Sequence, residues 1–168
     1  MKQGKRYTIL FLCEGNSARS IFAEYLTRKI APDEFEVFSA GSNPRGEVHP
    51  MTKRVLEEVH QVDASEARSK SWNELQGRDF DFVITVCDHS RNNCPTWSGD
   101  PVVLHWGSAD PLAVTGDEQE LFRVFKAVSI EIRRRVELFT SLPFDKLDRL
   151  RLELAGAEIG QENAECVA

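Results

Sequence analysis

The chain has 168 residues, 41% hydrophobic and 29% charged, with a formal net charge of −6. That length suits one domain with a proper buried core. The acidic balance excludes general attraction to nucleic acid or an anionic membrane, so any anion binding must be local. Four cysteines at irregular positions do not suggest a secreted disulfide framework, and a working thiol implies a reducing compartment.

The opening, MKQGKRYTILFLCEG, carries an apolar run that stops at Cys13 and Glu14, shorter than the h-region of a signal peptide. No segment is long enough to span a bilayer, and the expectation is a cytoplasmic protein, most simply a monomer. Residues 7–12 read as a buried strand and residues 20–30 as a helix with Phe22, Leu26 and Ile30 on one face. Pro32-Asp33 breaks that helix. Residues 35–39 (FEVFS) alternate as a second strand, and residues 40–46 form a long turn. His49-Pro50 opens a second helix with Pro in its first turn. Residues 71–75 suggest a short helix capped by Ser71, and residues 80–86 (FDFVITV) a third strand ending at Cys87.

Residues 88–99 read as a polar, irregular loop, and residues 102–105 as a short fourth strand. Residues 118–139 form a long helix whose core face is Leu121, Val124, Phe125, Val128, Ile132 and Val136. Within it, Arg133-Arg134-Arg135 point in different directions around the helix and read as solvated surface. After Pro143 an amphipathic stretch (Phe144, Leu147, Leu150, Leu154) gives way to a tail expected to be mobile. The division expected is therefore a main domain over 1–142 and an extension over 143–168. Cys166, in that tail, reads as an uninvolved thiol. Strands alternating with helices predict an α/β protein: a parallel sheet flanked by helices on both faces, with functional residues at the carboxyl ends of strands.

The chemistry concentrates in CEGNSARS, between the first strand and the first helix. The amides of Glu14, Gly15, Asn16, Ser17, Ala18, Arg19 and Ser20 surround a helix N-terminus, where N–H groups lack intrahelical partners and favour an oxyanion. Cys13 lies on the floor of that concavity, and Arg19 closes its rim with a guanidinium fork suited to a tetrahedral oxyanion. The same positive field is expected to favour thiolate at Cys13.

The motif resembles the Cys-x5-Arg-Ser loop of the low-molecular-weight protein tyrosine phosphatases and of the arsenate reductases built on the same fold. The resemblance extends from about Tyr7 to about Phe139 and implies a four-stranded, flavodoxin-like sheet in which the strand ends bearing Cys13 and Cys87 face each other. Asp110, in HWGSADP, matches the family's general acid, although Asp-Pro is also a plain turn signal. Asn16 and Ser39 match residues that orient the anion loop. Some members bind potassium there; here Lys70 could take the cation's place, so no metal and no cofactor are expected.

A phosphatase has no use for Cys87 and Cys94. They could be structural thiols or, with His89 and His105, part of a zinc set lacking standard spacing. They could also be the second and third members of a thiol relay begun at Cys13. VCDHSRNNCP and HWGSADP resemble thioredoxin-coupled arsenate reductases. Ile21 stands where phosphatases have Pro, and no aromatic residue follows Asp110-Pro111 to hold a tyrosine ring. The expectation is an arsenate reductase that takes arsenate, or phosphate or sulfate as its mimic, and is recycled by thioredoxin. A phosphotyrosine phosphatase and a non-catalytic oxyanion- or arsenic-binding protein are the rivals.

Overall fold

The computed structural model describes residue 4 and residues 6–161. Four strands, β1 (Tyr7–Cys13), β2 (Phe35–Gly41), β3 (Phe82–Thr85) and β4 (Val102–His105), form one parallel sheet in the order β2-β1-β3-β4. Among the described residues five helices accompany them: α1 (Arg19–Ile30), α2 (Pro50–His60), α3 (Asp88–Asn93), α4 (Glu118–Thr140) and α5 (Arg149–Gln161). Single 3-10 turns occupy Trp72–Leu75 and Pro111–Ala113.

Side chains alternate across β1. Ile9, Phe11 and Cys13 join the core beneath α1, α2 and α4, whereas Leu10 and Leu12 join a smaller cluster with Ala40, Phe80, Val83 and Trp97; a two-residue period sends neighbours to opposite faces. The two faces are unequal. The first carries the long helices, and the second is closed by Trp72, Leu75 and Trp97. At the end of the sheet away from Cys13, Tyr7, Phe35, Phe82, Phe139 and Phe144 gather with ring centroids 5.2–6.2 Å apart. Each such burial is worth roughly 1.5–3 kcal/mol.

Three segments depart from the sequence reading. Residues 88–93 are helix, not loop, because the Cys87 sulfur caps the turn by accepting Ser90 N–H at 3.4 Å and the His105 ring meets Asp88 at 3.2 Å. Residues 149–161 form one helix, so the described part of the tail expected to be mobile, residues 155–161, is helical. The buried face of this helix is Leu152, Gly156 and Ile159, with Leu150 and Leu154 exposed. Phe144, Leu152 and Ile159 belong to the same core as β1, so the extension from 143 is built into the fold as far as it is described. Cys166 lies outside the described residues. Finally, Arg135 is only 1% exposed: the α4 surface that it occupies is roofed by α5 and the segment after β4, neither of which helical periodicity within α4 could reveal.

Candidate active site

The cleft at the carboxyl end of the sheet has a volume of about 280 Å³ and is lined by the whole loop from Cys13 to Arg19, by Asn43, Pro44 and Arg45, and by Asp110 and Leu112. The loop takes this shape for reasons that can be named. Asn16 is fully buried at φ +44°, a left-handed conformation that costs a non-glycine residue energy unless its surroundings hold it there. Here they do. Its Nδ2 donates to Ser20 Oγ at 2.8 Å and to Ser39 Oγ at 3.0 Å, and its Oδ1 accepts Lys70 N–H at 2.7 Å. Gly41 lets the loop settle on β2, since a Cβ there would lie 2.5 Å from Glu14 O.

Among the described residues no side chain caps α1, whereas side chains cap α2, α3 and α4. Its first N–H groups are left to the cleft. Ser17 Oγ is likewise buried without a partner among the described residues.

Cys13 is buried, with its sulfur 2.8 Å from Ser20 Oγ and accepting Asn16 N–H at 3.1 Å. Burial pushes its thiol pKa up; the hydrogen bonds from Ser20 and the Arg19 charge pull it down, and Cys87 adds a smaller push upward. Where the loop's positive field was expected to dominate, desolvation by burial is the larger of the opposing effects at Cys13. Arg19 splits its fork between Ser108 O, at 3.1 Å from Nη1, and Asp110 Oδ2, 3.7 Å from Nη2. The Asp110 carboxylate also caps the 3-10 turn by accepting Leu112 N–H at 3.0 Å.

Behind the loop lies a buried polar chain that the sequence reading only half found. Ser39 Oγ donates to Glu24 Oε2 at 2.6 Å, and Lys70 Nζ stands 3.4 Å from Ser39 Oγ and 3.7 Å from Glu24 Oε2. Burial lowers the Lys70 pKa, and the Glu24 carboxylate pushes it back up. Glu24 was hidden because it is the single acidic residue of α1, and a lone carboxylate on a helix reads as surface. Arg45, a second guanidinium on the cleft wall against Gly15, was also missed, since it lies in a turn with no chemical signature.

The remaining thiols flank the site unequally, and all three described cysteines are free. Cys87 is buried in the same core as Cys13, just beyond the β1–β3 pairing, with Val86 N–H bonded to Leu12 O at 2.9 Å. Cys94 is half-buried on the opposite face, against the Phe80–Trp97 cluster, and burial raises its pKa while Trp97 lowers it. His105 is tied to Thr85 Oγ1 at 2.8 Å and to Asp88. Among the described residues no three side chains of metal-ligating type converge.

A cysteine-arginine anion loop between the first strand and first helix of a parallel sheet, with an aspartate across the cleft, defines the class of the low-molecular-weight phosphatase fold. The sequence profile of low molecular weight phosphotyrosine protein phosphatases matches residues 8–149, and the chain belongs to that family. Within it, the chain is similar to an arsenate reductase of Halalkalibacterium halodurans, 36% identical over 131 residues, which are 78% of this chain and 93% of the relative. A solved arsenate reductase in its phosphate-binding state superposes with a TM-score of 0.67 at 28% identity, covering 78% of this chain and 94% of the other. A thioredoxin-dependent arsenate reductase of Corynebacterium glutamicum gives 0.58 at 28% identity, over 84% of this chain and 64% of the other.

Proposed function

We infer that this protein is an arsenate reductase, converting arsenate to arsenite with thioredoxin as its reductant. The observation that carries the reading is the placement of two buried thiols, Cys13 and Cys87, at the ends of neighbouring strands, with a third, Cys94, at the far end of the six-residue helix α3.

Arsenate binds on the free amides of residues 14–20 with Arg19 closing the rim. The Cys13 thiolate attacks arsenic and an oxygen leaves as water, protonated by Asp110. Arsenic is still As(V) in this adduct. Cys87 then attacks the Cys13 sulfur, the S–As bond breaks, and its electron pair leaves with arsenite as As(III). The two thiols are oxidised to a Cys13–Cys87 disulfide, which supplies both electrons. Cys94 attacks Cys87, frees Cys13 and carries the disulfide outward as Cys87–Cys94, where thioredoxin reduces it. A disulfide needs Cα atoms within roughly 7 Å, so α3 must unwind for Cys87 to pair with both partners. Asn16 and Ser39 hold the loop, and Lys70 stands in the place of a bound cation. The free thiols suit a reducing cytoplasm, no described helix is long and apolar enough to cross a membrane, and the protein works as a monomer.

The test is reductant-dependent arsenite production set against aryl-phosphate hydrolysis on one preparation. Arsenite release sustained by thioredoxin is expected, with hydrolysis slow. Fast hydrolysis without arsenite release would return the chain to the phosphatases.

A further inference from the structure

Helix α5 begins where the family match ends, at residue 149, yet it is seated on the edge strand with unusual closeness. Gly156 and Gly160 lie one helical turn apart. A Cβ on the first would collide with the Leu104 side chain, and on the second with His105 O. Glycine inside a helix costs about 1 kcal/mol each, a cost sensible only where the backbones must nearly touch. The contact is also polar: Gly156 O accepts the buried Trp106 indole N–H at 3.0 Å.

From α5 a chain of hydrogen bonds runs to the cleft. Gly160 O accepts Arg135 Nη2 at 3.1 Å. The other arm of that guanidinium, Nη1, donates to Gly107 O at 2.9 Å and to Ser108 Oγ at 3.1 Å, and Glu131 balances it at 3.1 Å. Ser108 Oγ in turn donates to Glu131 at 3.1 Å, and Ser108 N–H is bonded to Val86 O, next to Cys87. Ser108 O is the acceptor of Arg19 Nη1. Both partners of the Arg19 fork, Ser108 O and Asp110, therefore belong to the one short segment that Arg135 holds.

We propose that α5 is a working part of the oxyanion site: acting through Arg135, it fixes the segment 107–110 and so sets the orientation of Arg19 toward a bound arsenate. Arg135 is a positioning residue in this scheme, and only a planar fork can reach Gly107 O, Ser108 Oγ and Gly160 O together. Burying an ion pair does little for stability against an apolar alternative, which favours a directional role. The inference rests on the oxyanion reading of the loop.

The experiment measures inorganic phosphate protecting Cys13 from alkylation, alongside the thermal unfolding midpoint, in the full chain. Wild type, Arg135→Lys, Gly160→Leu and the double variant are compared with Phe144→Leu, a core control at the other end of the sheet. Displacing a guanidinium by a fraction of an ångström should weaken phosphate binding about tenfold in either single variant. The double variant should be no worse than the poorer single one, since both break one chain of contacts. Phe144→Leu should lower the unfolding midpoint and leave phosphate affinity within twofold of wild type. Should Arg135→Lys fail to fold, Gly160→Leu, in the last turn of α5, decides alone. Phosphate affinity retained in Gly160→Leu, or lost equally in Phe144→Leu, overturns the proposal while leaving the anion loop intact. Wild type unprotected by phosphate would instead remove the oxyanion reading, and this inference with it.

Discussion

The two thiol-bearing regions of this molecule are built in opposite ways. Around Cys13, Asn16, Ser20, Ser39 and Glu24 are all buried and hydrogen-bonded to one another. Around Cys87 and Cys94, α3 is six residues of DHSRNN in which Ser90 alone is buried. An oxyanion site works by having its dipoles fixed before charge arrives. A thiol that must meet two partners in turn needs a segment that opens at little cost. Rigidity and lability are therefore divided between adjacent strand ends.

Breaking the rigid side should have the largest effect. Cys13→Ser should abolish arsenate reduction and any phosphate-ester hydrolysis, because a hydroxyl in the loop is a far poorer nucleophile at neutral pH. Measurable hydrolysis of an aryl phosphate by that variant would contradict the role. On the labile side, Cys87→Ser should release little arsenite even once, although serine preserves the cap of α3 and slow phosphatase activity should survive. Cys94→Ser should release about one arsenite per enzyme and accumulate a Cys13–Cys87 disulfide. Single-turnover arsenite release with mass-spectrometric disulfide mapping separates the two variants, and normal cycling of Cys94→Ser would end the relay. Arg19→Lys comes next: an ammonium cannot make the two-point contact of a guanidinium, so kcat/KM should fall by about 10²-fold.

A smaller change sharpens the electrostatics. Ser20 is the strongest influence opposing the rise of the Cys13 pKa that burial causes. Ser20→Ala removes a donor to the thiolate, pushes that pKa higher, and should move the acid limb of kcat/KM to higher pH. Near pH 7 the loss should be about three- to tenfold and should be recovered as pH rises. A pH profile unchanged by the substitution would assign thiolate stabilisation elsewhere. The least effect is expected from potassium. With Lys70 beside Ser39 and Glu24, exchanging it for another monovalent cation at constant ionic strength should leave turnover unaltered, and strong potassium activation would show that Lys70 does not replace the ion.

How much of this was legible in the sequence depended on how far the determining partner lay along the chain. Strand, loop and α1 could be read from residues 7–30 because every cue is local: a short apolar run, a polar turn, then a helical period. The Ser71 cap was legible for the same reason. Helix α3 was not, since its polar string is held by a cap sulfur and by His105, a residue of β4. The burial of Arg135 depends on Gly107 and Gly160, and that of Glu24 on Ser39 and Lys70. The apolar face of α5 was misplaced because two of its contact residues are glycines, which carry no hydrophobic signal. Polar side chains that go inside the protein do so for partners contributed by other elements, and hydropathy patterns do not register them.

The left-handed Asn16 has one more implication. A loop held open in its binding shape pays its conformational cost during folding, so any tetrahedral oxyanion of suitable size finds the same ready seat. Phosphate and arsenate are near-isosteres, and a fixed cradle has little means of telling them apart. Selectivity must then come later, as a commitment step. A phosphorus–sulfur adduct offers the second thiol no lower oxidation state to expel and can only revert or hydrolyse, whereas the arsenic adduct can be driven forward by electrons. The enzyme would spend much of its time occupied by the commoner anion and yet send only the rarer one on through the disulfide chain.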